Sequence, residues 1–151
     1  MDVKIEVAGL EELQKKLEQV AKTASEFIIP RAALLVERQA KLNATGGGHH
    51  TGGGPNVRTG RLRASIAIEL GPKPYTWARV GTNVKYAPFV EFGHSQKVGR
   101  FVPVNGGFRL KNSRAPAYPF LEPAIEQVRT SGGLNGVFAD FIHKAEADFG
   151  K

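Results

Sequence analysis

The stretch SIAIELGPKPYTWARV, Ser65 to Val80, decides the fold class. Apolar and polar or small side chains alternate over Ser65–Leu70, and Tyr75–Val80 is rich in residues that favour strands. The turn-forming residues of Gly71–Pro74 separate these two runs. The pattern predicts a β-hairpin, preceded by one short helical turn after Thr59.

Amphipathic helices are predicted on both sides of this hairpin. Apolar residues recur with helical spacing from Leu10 to Ile28. Pro30 has no amide hydrogen to donate, so it either kinks this helix or occupies the first turn of a new one, and we predict a second helix over Arg31–Asn43. Toward the C-terminus, the first turn of a further helix is expected at Pro119, and Leu134–Phe149 carries one continuous apolar stripe.

The predicted helices need a surface that buries their apolar stripes, because isolated helices of this length are marginal in water. Further strands predicted at Val3–Val7 and within Arg100–Leu110 would enlarge the hairpin. We therefore predict an α+β fold with residues 1–151 as a single domain. In this fold a small, mainly antiparallel sheet packs against long N-terminal and C-terminal helices, with long flexible loops at 45–58 and 94–114.

Composition excludes several classes of site. The chain of 151 residues contains no cysteine, so disulfides, thiolate metal sites and cysteine nucleophiles are impossible. No apolar run approaches the roughly 20 residues that span a bilayer, and the first residues lack the pattern of a signal peptide. We therefore expect a protein that is made in the cytoplasm and has no membrane partner.

The net charge of +7 is concentrated in the middle of the chain. Residues 38–120 hold thirteen basic residues and only two acidic ones, Glu69 and Glu91, whereas both ends are mildly acidic. Such segregation suggests a surface that faces a polyanion or an acidic partner. A solvated basic side explains the same distribution equally well.

The glycine-rich segment TGGGHHTGGG, residues 45–54, invites a metal or phosphate interpretation. A Walker-type phosphate loop needs a lysine followed by serine or threonine, which this segment lacks. His49 and His50 would need further metal ligands from elsewhere, and only His94 and His143 remain as imidazoles. A flexible loop over residues 45–58 explains the segment better, and we predict neither a metal nor a cofactor.

The sequence also shows no set of residues typical of a catalytic site. Most acidic residues fall on the outward faces of predicted helices, where solvation explains them, and no serine has a nucleophile-elbow setting. A metal-dependent nuclease would gather acids or histidines in the cationic middle, which holds two acids. We predict that the chain is not an enzyme and has no small-molecule substrate.

Two groups of cations are candidates for contact with DNA or an acidic partner. Arg58, Arg61 and Arg63 follow the glycine-rich loop and would face DNA without reading its sequence. The 21 residues His94–Arg114, which we call the basic arm, contain five cations and no acid. The cations of the arm are Lys97, Arg100, Arg109, Lys111 and Arg114. A non-specific nucleic-acid-binding protein is therefore the alternative function class.

Three stretches, in order, resemble a known family. They are TGRLRASI (Thr59–Ile66), VGTNVKYAPFVEFG (Val80–Gly93) and APAYPFLEPAIE (Ala115–Glu126), and they follow an amphipathic N-terminal helix. Together they resemble the tail-component family of long-tailed bacteriophages, whose members are head–tail joining or tail-completion proteins. The resemblance covers roughly the whole length, and the chain departs from the family at residues 45–54 and in the basic arm.

The resemblance implies a structural virion protein, made in the host bacterial cytoplasm and located in the neck or tail. Copies would form a homo-oligomeric ring, a hexamer, around the DNA passage. The partners implied are other neck and tail proteins, namely the connector or stopper, the terminator and the tail tube, with DNA passing non-specifically.

A ring of this kind needs contact surface, and the sequence offers two candidates. The segment KYAPFVEFG packs Tyr86, Phe89, Val90 and Phe92 into seven residues, and we take Tyr86, Pro88, Phe89 and Phe92 as its candidate contact residues. We predict a subunit or partner interface formed by these residues together with the cations of the basic arm. The part of the arm from Lys97 to Arg114 is expected to reach a neighbouring subunit or an adjoining ring.

Overall fold

The chain folds into helices and short antiparallel strands. The computed structural model describes residues 9–45, 60–103, 107–109 and 113–149. In chain order the elements are α1 (Leu10–Asn43), α2 (Arg61–Ser65), β1 (Ile66–Leu70), β2 (Ala78–Thr82), α3 (Ala87–Phe92), β3 (His94–Ser95), β4 (Phe101–Val102), β5 (Phe108–Arg109), β6 (Arg114–Ala115), α4 (Glu122–Thr130) and α5 (Gly133–Phe149). The predicted α+β class is confirmed. The predicted strand Val3–Val7 and all but the first residue of the loop 45–58 lie outside the described residues.

The N-terminal region is one helix of 34 residues, and the predicted break at Pro30 is wrong. Proline costs a helix interior about 3 kcal/mol, because one hydrogen bond is lost and the ring crowds the preceding turn. Packing on both sides of the proline outweighs this cost. The ring of Phe27 lies 6.0 Å from that of Phe141 in α5, and the Arg31 guanidinium stacks over Phe27 and donates to its carbonyl oxygen.

The central hairpin forms as predicted, with one strand displaced. Strands β1 and β2 pair antiparallel, from Ile66 opposite Thr82 to Leu70 opposite Ala78. The second strand was predicted from Tyr75, but it begins at Ala78 because the connection is longer than a tight turn. The Gly71 amide donates to the Trp77 carbonyl at 3.1 Å and closes this connection, whose two prolines have no amide hydrogen to add to the ladder.

The two ends of the basic arm are paired with each other, so the arm is a closed loop that leaves and rejoins the rest of the structure at one place. Strands β3 and β6 pair at its base, with His94 opposite Ala115. Within the arm, β4 and β5 pair with Phe101 opposite Arg109, which confirms the small hairpin predicted in Arg100–Leu110. Within the described residues, the strands form three separate two-stranded sheets where a single sheet was predicted.

The C-terminal helix packs mainly on other helices and not on the predicted sheet. α5 contacts α1 and α4 and runs antiparallel to α1. Phe141 lies against Phe27, whereas a Cβ placed on Gly133, at the start of α5, would lie 3.5 Å from Leu35 Cδ1. The hairpin β1–β2 packs on α1 instead, and α1 also contacts α2, α4 and α5.

The core lies around Phe120, between the C-terminal half of α1 and the start of α4. Its buried members are Ala40, Ala44, Leu62, Ile66, Val84, Ala87, Phe120 and Ala124. The Phe120 side chain has no solvent exposure. Its carbonyl oxygen accepts a hydrogen bond from Asn43 Nδ2 at 3.2 Å, and its amide donates to Glu91 Oε2 at 2.8 Å. Side chains from α1 and α3 therefore fix the backbone of this residue from both sides.

The junction between α3 and the arm depends on Gly93, and we expect Gly93→Ala to lower the unfolding free energy by about 2 kcal/mol. Gly93 has φ 69° and ψ 177°, and an added Cβ would lie 2.6 Å from the Ala115 carbonyl oxygen and 2.9 Å from the Ala117 amide nitrogen. Gly60 is the matched control, because it also has a positive φ of 67° but has open space around a Cβ. Urea denaturation should show a loss of only about 1 kcal/mol for Gly60→Ala. Equal losses in the two variants would contradict the close approach at Gly93.

Candidate functional site

The carboxylate of Glu91 binds the N-terminus of α4. It accepts hydrogen bonds from three consecutive backbone amides: Phe120 at 2.8 Å, Leu121 at 3.2 Å and Glu122 at 3.0 Å. Glu91 is 6% exposed, and α4 receives no hydrogen bond from the side chain of its own capping residue. The amides at a helix start lack intrahelical partners and carry partial positive charge, so a carboxylate placed here substitutes for a local cap.

The predicted start of α4 is wrong, and this capping contact gives the reason. The helix was expected to begin near Pro119, but it begins at Glu122, and Pro123 lies in its first turn. The preceding amides of Phe120 and Leu121 are directed at Glu91, which holds this segment in place before the helix begins. The Tyr118 amide donates to the Val90 carbonyl at 2.7 Å and adds a second link from this segment to α3.

The side-by-side arrangement of α3 and α4 leaves an open groove of about 610 Å³ between them. Its inner surface is formed by buried residues such as Ala87 and Phe120. Its apolar lining includes Pro88 and Phe92 from α3, Ile125 from α4, and Leu121, the residue that precedes α4. A volume of roughly 300–1,000 Å³ and a mainly apolar lining are typical of clefts in which proteins bind a ligand. We call this feature the α3–α4 groove.

Acidic side chains line one wall of the α3–α4 groove. Glu122 and Glu126 lie one helical turn apart on α4, on either side of the position that Ile125 occupies in the wall. Both are exposed, and the Glu126 carboxylate accepts a hydrogen bond from Arg129. In a protein of net charge +7, this wall carries two carboxylates, of which the one on Glu126 is paired with Arg129.

The predicted apolar interface residues divide between two surfaces. Pro88 and Phe92 line the groove, and Phe92 is 68% exposed. Phe89 is also exposed, and its ring meets that of His94 edge-on at 5.3 Å, next to the base of the arm. Tyr86 is the residue that precedes α3, and it is 41% exposed. All four residues are accessible, but only two of them belong to the groove.

The described cations of the basic arm are all exposed. They are Lys97, Arg100, Arg109 and Arg114, whereas Lys111 lies outside the described residues. Arg109 Nη1 donates to the Gly99 carbonyl at 2.9 Å and braces the arm internally. Arg114 lies at the base, opposite Ser95 in the β3–β6 ladder.

The arm also carries an apolar tip, Lys97–Val102. Val98 and Phe101 are each 55% exposed. The Phe101 ring lies directly over Gly107, where an added Cβ would come within van der Waals distance of the ring carbons. Gly107 has a φ of 76° and no side chain, so the aromatic ring can approach its backbone closely. Phe101 is therefore held in an exposed position by the fold of the arm itself.

The predicted DNA-facing residues lie on a different element. Arg61 and Arg63 belong to α2 and are exposed, while Arg58 lies outside the described residues. α2 packs on α1 and contributes the buried Leu62 to the core. Its two arginines are thus fixed to the body of the protein and do not belong to the arm.

A third exposed apolar surface lies at the start of α1, and sequence reasoning missed it. Leu10, Leu13 and Leu17 share one face of the helix and are 51%, 54% and 59% exposed. Because α5 runs antiparallel to α1 and passes from Leu35 to Phe27, its last residue, Phe149, falls level with Gln19. The first ten residues of α1 extend about 15 Å past that point. We call them the α1 overhang.

The described residues also bear on the classes of site considered from the sequence. Within the described ranges, no group of three or more histidine, aspartate or glutamate side chains could hold a metal ion. His49 and His50 lie outside these ranges. Among the helices that the structure describes, none combines the length and the apolar content needed to cross a lipid bilayer.

Comparison with known proteins gives one match. Residues 8–93 match the family described as "Bacteriophage HK97-gp10, putative tail-component". The matched range is more than half of the chain, contains α1, α2, the β1–β2 hairpin and α3, and ends at Gly93, where the arm begins. No curated protein and no solved structure matches the chain.

Proposed function

Because the chain belongs to the HK97-gp10-like family of bacteriophage tail components, we propose that it is a structural protein at the head–tail interface. In this proposal, copies of the chain assemble into a ring, a hexamer, that completes the tail or joins it to the neck. The protein is made in the host cytoplasm and becomes part of the virion. Its neighbours along the tail axis are the connector or stopper, the terminator and the tail tube, and it has no enzymatic activity.

The observation that carries the ring is the presence of several different exposed apolar surfaces on one small chain. The α3–α4 groove, the arm tip and the α1 overhang lie on different elements. In a cyclic ring each copy contacts the next through two unlike patches, so a subunit needs at least two such surfaces.

The exposed cations support a position beside DNA. Arg61 and Arg63 are fixed to the body through α2, and the described part of the arm adds four more exposed cations. Contacts of this kind to phosphates are independent of sequence and weaken steeply with salt. We propose that DNA passes through the ring without specific recognition of bases.

The ring can be tested by measuring the mass of the purified full-length chain in solution. We expect size-exclusion chromatography with light scattering to give a species of about six times the chain mass of 16.3 kDa. Electron micrographs of the same fraction should show closed rings. A chain that remains monomeric at high concentration would contradict the proposal. Tight, steeply salt-dependent binding of that monomer to duplex DNA would favour the nucleic-acid-binding alternative.

A further inference from the structure

The described part of the arm does not line the α3–α4 groove of its own chain. Of the residues that the structure describes, none between His94 and Ala115 lines the groove, although only Gly93 separates the arm from the end of α3. Phe92 and Ile125 stand in its outer walls and are 68% and 57% exposed. A second molecule can therefore reach these two side chains directly.

The charge of the groove indicates the kind of segment that would occupy it. One wall carries the exposed carboxylates of Glu122 and Glu126, while the rest of the lining is mainly apolar. A complementary segment would present apolar side chains beside cations. Opposite charges at the edge of an apolar contact fix its orientation and disfavour other partners.

The arm tip has this composition. Val98 and Phe101 supply exposed apolar surface, and Lys97 and Arg100 lie within the same six residues. The described part of the arm contains no acidic residue. Phe101 is already held over Gly107, so little side-chain freedom is lost when it docks. Aromatic and arginine side chains also dominate the binding energy of many protein interfaces.

The α1 overhang is a poorer match to the same groove. Its leucines are exposed, but the side chains around them are of mixed charge, with Glu11, Glu12, Lys15, Lys16 and Glu18 in the same segment. An acidic wall would repel part of this segment, whereas it attracts every charged residue of the arm tip.

We infer that the arm tip of one copy docks into the α3–α4 groove of the next copy, with Val98 and Phe101 against Phe92 and Ile125. Lys97 and Arg100 then face Glu122 and Glu126. This inference rests on the proposed ring and names its subunit contact. Because the arm and the groove are different surfaces, the contact repeats around the ring and uses each surface once per copy.

Disulfide trapping tests this contact directly, because the chain has no cysteine of its own. In the full-length double variant Val98→Cys/Ile125→Cys, mild oxidation should produce a ladder of covalent multimers on non-reducing gels. Mass spectrometry should identify the peptide pair that contains positions 98 and 125. Each single variant should stop at the dimer. Two further double variants are matched controls, Asp140→Cys/Ile125→Cys on the exposed face of α5 and Leu13→Cys/Ile125→Cys on the overhang.

The outcomes separate the contact from the ring. A ladder joined through positions 98 and 125 supports the inference. A ring of the expected mass without this disulfide, or one trapped through positions 13 and 125 instead, overturns the arm contact and leaves the ring intact. A chain that stays monomeric overturns the ring and the contact together.

Charge reversal provides a second test. Arg100→Glu and Glu122→Lys should each weaken self-association roughly fivefold, because each places like charges together at the edge of the groove. The double variant should return to within about twofold of the unmodified chain, since the pair is restored with opposite polarity. Lys22→Glu is the control for Arg100→Glu, because it also replaces a basic residue with an acidic one. Lys22 lies on an exposed part of α1, away from the groove and the arm tip. Additive losses in the double variant would contradict the pairing.

Discussion

Phe120→Ala is expected to lower the unfolding free energy by about 4 kcal/mol, the largest effect of any single substitution considered for this chain. Phe120 has no solvent exposure and lies at the centre of a core made mostly of alanine and other aliphatic residues. The neighbouring alanines have no side-chain length with which to fill the space that a missing ring would leave. Loss of burial and an unfilled cavity therefore add together.

The effect of Phe120→Ala can be measured by urea denaturation followed by circular dichroism. Phe138→Ala is the matched control, because Phe138 lies on α5 and is 47% exposed. We expect that control to cost about 1 kcal/mol, since much of its ring is already in water. Similar losses in the two variants would show that Phe120 is not the centre of the core.

Glu91→Ala is expected to cost about 3 kcal/mol, because it leaves three backbone amides without their acceptor at a nearly buried position. Hydrogen bonds from amides to a carboxylate are stronger than those between neutral groups. Removing the carboxylate leaves each amide without an acceptor, and the desolvation free energy of that amide is then no longer offset. The start of α4 should then fray. Since Leu121 and Ile125 form one wall of the α3–α4 groove, the groove should lose its shape with the helix start.

A matched control for Glu91 exists in the same part of the chain. Glu69 and Glu91 are the only two acidic residues between positions 38 and 120, and the Glu69 side chain is 67% exposed beside Arg79. An exposed pair of this kind contributes little, so Glu69→Ala should change the unfolding free energy by less than about 1 kcal/mol. Hydrogen exchange should be faster at the amides of Phe120 and Glu122 in the Glu91 variant only. Unchanged protection there would contradict the capping role of Glu91.

Substitutions at buried and at exposed residues of the groove separate folding from association. Phe92 and Phe120 both line the groove, but one is 68% exposed and the other is fully buried. A substitution at the buried residue acts on both the unfolding free energy and the groove. A substitution at the exposed residue acts mainly on what enters the groove, which is why the trapping and charge-reversal positions are all exposed.

The parts of the fold that the sequence predicts are those with a repeated local pattern. Helical periodicity locates α1 and α5, and alternation locates the β1–β2 hairpin, because each pattern reflects one face turned toward the core. At Pro30 the local rule is outweighed by contacts that are distant in sequence, in which Phe27 packs against Phe141. The start of α4 is misplaced for the same reason, since Glu91 lies about thirty residues before the amides it binds.

The candidate site is predicted only in part, because a groove is a property of two elements. The density of apolar residues in KYAPFVEFG indicates an interface segment, and Pro88 and Phe92 do line the groove. Ile125 and Leu121 are read from the sequence as ordinary helix positions, and their role depends on how α4 is held against α3. One signal was present in the sequence: a single acidic residue, Glu91, within an otherwise apolar run. Such a residue needs a partner if it is buried.

The ladder between β3 and β6 brings the two ends of the arm together at His94 and Ala115. The body of the protein therefore meets the arm at a fixed pair of anchor points, whatever the length of chain between them. The entropy of closing a loop grows only slowly with its length, so insertions or deletions beyond this clasp cost the body little. The fold thus permits the arm to vary in length while the rest of the structure stays the same.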